Sequence, residues 1–122
     1  MRALLAAVVL LVFGNAQSVH GETASYFEMG MGVQSCGEFA SAYQKSPQMM
    51  EMVYFSWAQG YMSAMNVVLG ATVAKYRPIN PDAKAQMATI RNYCNLHPLA
   101  NYEQAVLELY SSFPMKPLSP SD

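Results

Sequence analysis

Residues 55–66 read FSWAQGYMSAMN, and the fold turns on this stretch. The chain's only tryptophan, Trp57, stands three residues before Gly60. Ser56, Gln59, Ser63, Asn66 and then Gly70 step by three and four residues, which on a helix draws one narrow polar stripe. Met50, Val53, Tyr54, Trp57, Tyr61, Ala64, Met65 and Val68 fill most of the remaining circumference with apolar groups. A helix that is apolar nearly all round is expected to be buried nearly all round. This segment is therefore expected to be the central element, wrapped by its neighbours. Gly60 and Ala64, one turn apart, are expected to form a flat notch for close helix packing, with Trp57 beside it. The polar stripe reads either as a solvent-facing strip or as a groove that orients a partner.

Working outward, Ser46-Pro47 supplies an N-cap and a first-turn proline, so this second helix runs from 47 to about Gly70. Upstream, Ser35-Cys36-Gly37-Glu38 has the spacing of a capping box. Cys36, Phe39, Ala40 and Tyr43 then recur at helical spacing in a first helix ending near Lys45. Downstream, residues 71–79 read as a connector, and Asn80-Pro81 repeats the cap-then-proline start. A third helix carries Ala83, Met87, Ile90 and Cys94 and is broken by residues 95–98. The fourth carries Tyr102, Ala105, Val106, Leu109, Tyr110 and Phe113 opposite Glu103, Gln104 and Glu108. No strand pattern, internal repeat or second domain stands out. The expected fold is all-α: a small four-helix domain over residues 35–113, with a long central second helix. Residues 22–34 are expected to be a flexible lead-in, and 114–122 (PMKPLSPSD) a disordered tail.

The first residues, MRALLAAVVLLVFGNA, place one arginine before a short apolar run and then small residues. This is the layout of a secretory signal peptide, with cleavage expected after Ala16 or Gly21, so residues 1–21 are assigned to the leader. The run is too short for a span of roughly 20 apolar residues, so no stable membrane span is expected after cleavage. The expected location is the periplasm or the exterior. In that setting two cysteines, Cys36 and Cys94, read as one intramolecular disulfide, and each lies on the core-facing stripe of its helix.

Removal of Arg2 with the leader leaves six basic against eight acidic residues, a net charge of −2. With no basic patch to neutralise phosphates, nucleic acid is not an expected partner. Charged residues make up only 12% of the chain, so much of the surface must be uncharged, which points to a protein-contact surface. An enzyme is not expected. His97, in Leu96-His97-Pro98, sits where a helix C-terminus is capped, no serine lies in a nucleophile elbow, and no carboxylates pair on one helix face. No cofactor or metal is expected, although the ten methionines leave Cu(I) binding as an alternative. Met29 with Met31, Met49 with Met50 and Met52, and Met62 with Met65 are the groups concerned.

Four helices, with SCGEF opening the first and IRNYC closing the third, resemble the HdeA/HdeB acid-stress chaperone family. The resemblance implies a periplasmic chain with its disulfide between matching cysteines. It further implies a homodimer at neutral pH that dissociates in acid and exposes apolar surface to unfolding clients. The segment WAQGYMSAMN followed by YCNLHPL also resembles Tai-type immunity proteins, which block periplasmic amidase toxins. The expected function is thus an exported, non-enzymatic protein-binding module, first as an HdeA-like acid-stress chaperone and alternatively as a Tai-type immunity protein. Tyr54, Trp57, Tyr61, Met62 and Met65 are the candidate partner-binding residues.

Overall fold

A computed structural model describes residues 29–79 and 81–119. The expected leader, the first part of the lead-in (22–28), Asn80 and the last three tail residues lie outside the described residues. The order of elements is a 3-10 turn (Gly30–Val33), α1 (Cys36–Lys45), α2 (Pro47–Val73), β1 (Lys75–Tyr76), α3 (Ala83–Leu96), α4 (Tyr102–Ser112) and β2 (Lys116–Pro117). The described chain is all-α apart from the two-residue strands, and a disulfide joins Cys36 to Cys94.

The capping box forms as the sequence requires. Ser35 Oγ accepts the Glu38 amide at 3.1 Å, and the Ser35 amide donates to the Glu38 carboxylate at 2.7 Å. Two more orphan amides of the first turn, on Cys36 and Gly37, donate to the carbonyls of Ala100 (2.8 Å) and Pro98 (2.9 Å). The turn between α3 and α4 is thereby fixed to the start of α1. Asp82, not Asn80, caps α3, its side chain accepting the Ala85 amide at 3.0 Å.

The core gathers Cys36 and Phe39 of α1, Tyr54, Ala58 and Met62 of α2, Met87, Ile90 and Cys94 of α3, and five residues of α4 from Tyr102 to Tyr110. At its centre the rings of Phe39, Tyr54 and Tyr102 meet pairwise with centroids 4.8–5.0 Å apart, tilted or edge-on as aromatic quadrupoles prefer.

Three expectations change. First, α2 is not wrapped. At about 1.5 Å per residue its 27 residues extend about 40 Å, whereas α1, α3 and α4 have 10, 14 and 11 residues and cannot surround it. Only Tyr54, Ala58 and Met62, spaced four apart, are fully buried on it.

Second, the part of the lead-in that is described, residues 29–34, is tied down: the Tyr102 amide donates to the Gln34 carbonyl at 2.8 Å. Third, the tail folds back over residues 116–118. Lys116–Pro117 pairs antiparallel with Lys75–Tyr76, the Leu118 amide donates to the Ala74 carbonyl at 2.9 Å, and the Leu118 side chain lies against Gly70. Strands of two residues carry no alternation that a sequence pattern could reveal.

Candidate functional site

The outward side of α2 is the most unusual surface among the described residues. Met49, Met52, Val53, Ser56, Gly60, Ser63, Ala64, Val67, Val68 and Ala71 are all exposed and recur at helical spacing along one face. Met52 is 69% and Val67 72% exposed. The sole charged residue of α2 is Glu51, and it turns to the other side, where Arg91 of α3 meets its carboxylate at 3.2 Å. The outward face therefore carries no charge over some six turns.

The candidate binding residues divide. Tyr54 and Met62 are buried, so they cannot meet a partner; the expectation took a ring and a thioether of the core for surface groups. The Tyr54 hydroxyl donates to the Gln34 side chain. Trp57 and Tyr61 are half-buried at the rim of the outward face and stacked, with centroids 5.0 Å apart and planes 17° from parallel. Trp57 Nε1 donates to the Met29 carbonyl at 3.2 Å, and the Tyr61 hydroxyl donates to Glu103 of α4. Met65 is half-buried against the core. Gly60 and Ala64 do not form an internal notch: both are exposed, and a Cβ at Gly60 would meet nothing within 4 Å.

The polar stripe divides: Ser56 and Ser63 face solvent, whereas Gln59, Asn66 and Gly70 are half-buried. The hydroxyls of Ser56 and Ser63 donate back to the carbonyls of Met52 and Gln59, each at 2.7 Å, which leaves the outward face with little to offer a polar partner. Gln59 donates to Gln86 of α3 at 2.9 Å, and Asn66 holds the backbone of Arg77. These two amides tie α2 to the rest of the domain.

Other chemistry is structural in kind. Hydrogen bonds from the Ser35 amide and hydroxyl hold the Glu38 carboxyl below its ordinary value of 4.5. Burial pushes the phenols of Tyr102, Tyr54 and Tyr110 upward. His97 caps α3 through its amide, which donates to the Tyr93 carbonyl at 2.9 Å, and its ring lies 4.5 Å from that of Tyr93. Among the described residues no three His, Cys, Asp or Glu side chains gather into a metal site, and no helix is long and apolar enough to cross a membrane. Of the methionines considered for copper, Met62 is in the core, Met31, Met50 and Met65 pack against it, and Met29, Met49 and Met52 are exposed.

The chain matches no family model, no curated protein and no solved structure. Its function must therefore be argued from these surfaces. Sequence reasoning missed the outward face because it reads as core from composition alone. The missing signal lay in the arithmetic of helix lengths.

Proposed function

We propose that the mature chain is an exported, non-catalytic protein-binding module, and that it binds through the outward face of α2 with Trp57 at its rim. The observation that carries this reading is the uncharged, largely apolar run of exposed side chains from Met49 to Ala71. Such a patch on a small domain marks a contact surface more often than a solvated one. Within that class the reading is an acid-stress holdase of the HdeA kind. Three carboxylates support it. Glu38 closes the first turn of α1, Glu51 joins α2 to α3, and Glu103 joins α4 to α2. The Ser35 amide and hydroxyl hold the Glu38 carboxyl below its ordinary value, so protonating Glu38 would remove charge and loosen the first turn of α1, freeing more apolar surface for clients. The test is the aggregation of an acid-labile client at pH 2–3, roughly below the carboxylate range. Suppression by the mature protein supports the reading, and unchanged aggregation removes it.

A second reading is an immunity protein of the Tai type. It is favoured by the turn between α3 and α4, where Leu96 and Leu99 are strongly exposed beside His97-Pro98. That turn is anchored by the two bonds to α1, so it offers a preorganised apolar projection to a concave partner. Titration calorimetry against a periplasmic cell-wall amidase, with Leu99→Asp as the comparison, tests it. Tight binding weakened by the substitution supports this reading, and no heat of binding with any such amidase counts against it.

A further inference from the structure

We propose that the cleft between α1 and α3 is a binding site for a small aryl carboxylate, with Arg91 as its anion-binding group. The site uses no residue of the outward face of α2, so it goes beyond the protein-binding reading and stands apart from it.

Helical spacing places the groups. Phe39 and Tyr43 lie four apart on α1, and Arg91 and Asn95 lie four apart on α3, so each pair shares one face of its helix. The Cys36–Cys94 disulfide ties these two helices together. Between them the four residues, with Ala40 and Gln44, line a cavity of about 150 Å³. Ala40 contributes only a methyl, which leaves the space that a larger side chain would fill. Phe39 is buried, whereas Gln44 and Asn95 are exposed, so the cleft runs from solvent to the edge of the aromatic core. An apolar cavity of about this size is known to take one benzene ring.

The lining is of two kinds. The rings of Phe39 and Tyr43 stand with centroids 5.9 Å apart and give the cleft aromatic walls. Arg91 is the one charged residue that lines it. Its guanidinium carbon lies 5.2 Å from the centroid of the Tyr43 ring, and Nη1 donates to the Glu51 carboxylate at 3.2 Å. A guanidinium has five N–H donors, and among the described residues only Nη1 is engaged. The group is thus held from two sides while most of its donors stay open, a preorganisation suited to the two oxygens of a carboxylate. The side-chain amides of Gln44 and Asn95 make no hydrogen bond among the described residues and add donors at the rim.

A carboxylate carried on a single ring satisfies both kinds of lining, the ring against Phe39 and Tyr43 and the oxygens at Arg91. An inorganic anion would leave the aromatic walls uncovered, and a neutral ring would leave the guanidinium unanswered. The ligand must share Arg91 with Glu51 and has few atoms with which to bind, so a dissociation constant of about 1 mM is expected.

The test is a titration of benzoate, with benzamide as its uncharged counterpart, into the oxidised chain from residue 22 onward, followed by heteronuclear NMR. Arg91→Gln, Ala40→Leu and Glu51→Gln are measured alongside, each first shown folded by circular dichroism. Benzoate is expected to give saturable shifts at Ala40, Gln44, Arg91 and Asn95. Benzamide, and benzoate with Arg91→Gln, are expected to bind about tenfold more weakly or less, as loss of a charged hydrogen bond implies. Ala40→Leu keeps the charge but fills the cavity, and binding is expected to disappear. Glu51→Gln removes the competing carboxylate, so binding is expected to tighten about threefold, which loss of a merely structural ion pair would not produce. Shifts that stay linear to about 10 mM benzoate overturn the proposal. So do equal binding of benzamide, wild-type affinity in Arg91→Gln or Ala40→Leu, and a Glu51→Gln chain that binds no more tightly.

Discussion

Asn66 holds Arg77 by both of its backbone groups: Nδ2 donates to the Arg77 carbonyl at 2.9 Å, and the Arg77 amide donates to Oδ1 at 2.8 Å. The pairing imitates one rung of a sheet with a side chain. The same Oδ1 accepts the Tyr110 hydroxyl at 2.8 Å, and the Arg77 guanidinium reaches the carbonyls of Ser111 and Phe113. One amide thus joins α2, the segment after β1 and the end of α4.

Asn66→Ala should cost about 2 kcal/mol, since it leaves a half-buried amide, a carbonyl and a hydroxyl to find new partners. A lower urea midpoint at unchanged slope is the expected result. A loss within error of zero would mean that water replaces the side chain without cost.

Tyr102 offers the opposite case. Its ring is fully buried among Phe39, Tyr54 and Trp57, yet its hydroxyl finds no hydrogen-bond partner among the described residues. Tyr102→Phe removes the unpaired group and keeps the packing, so a gain of about 1 kcal/mol is expected at neutral pH. Burial raises this phenol above its ordinary 10.0. The stabilisation is therefore full below pH 10 and is lost as pH rises through the folded-state value. Alkaline unfolding of the wild type should be steeper than that of the variant, as followed by tyrosinate absorbance.

On the acid side the sign reverses. The Glu38 carboxyl is held below 4.5 by the Ser35 amide and hydroxyl, so its contribution is full above 4.5 and fades as pH falls through the folded-state value. Glu38→Gln keeps an acceptor at the same position of the capping box without a titrating group. Melting temperatures taken from pH 7 downward should fall less steeply for Glu38→Gln than for wild type. Parallel curves would show that this carboxylate does not sense pH.

The disulfide spans a sequence separation of 58 and ties the buried start of α1 to the buried end of α3. Replacing both cysteines by alanine should cost about 4 kcal/mol in loop-closure entropy, a large share of what so small a domain possesses. Denaturant unfolding with and without reductant measures the same quantity without mutation.

Gly60→Ala tests what the glycine does in the second helix. Nothing in the chain obstructs the added methyl. Gly60→Ala should raise stability by about 1 kcal/mol through helix propensity alone. A loss of stability would reveal an intramolecular role for the glycine.

Much of the local structure was legible in the sequence because it rests on local chemistry. The Ser35–Glu38 capping box, the spacing of Cys36, Phe39 and Tyr43, and the placement of both cysteines on inward stripes each depend on residues within a turn or two. The environment of α2 was not legible in the same way. Apolar composition states what a helix could bury, whereas coverage depends on whether α1, α3 and α4 are long enough to reach it, and they are not. Tyr54 and Met62 were taken for surface groups because composition does not tell which side of an apolar helix meets the core; the residues in line with Ala58 do. The return of the tail depends on Gly70 leaving room for Leu118 and on Arg77 holding the end of α4, contacts between residues more than 30 positions apart.

The most direct measurement compares the wild-type chain from residue 22 onward with its Val53→Glu/Val67→Glu variant in suppressing aggregation of an acid-labile client at pH 2–3, roughly below the carboxylate range, and at neutral pH. Both proteins must first be shown equally folded and disulfide-bonded. The expected result is that the wild type keeps the client soluble in acid and the doubly substituted chain does not. Equal suppression by the two would contradict the assignment of protein binding to the outward face of α2, and suppression by neither would remove the chaperone reading itself.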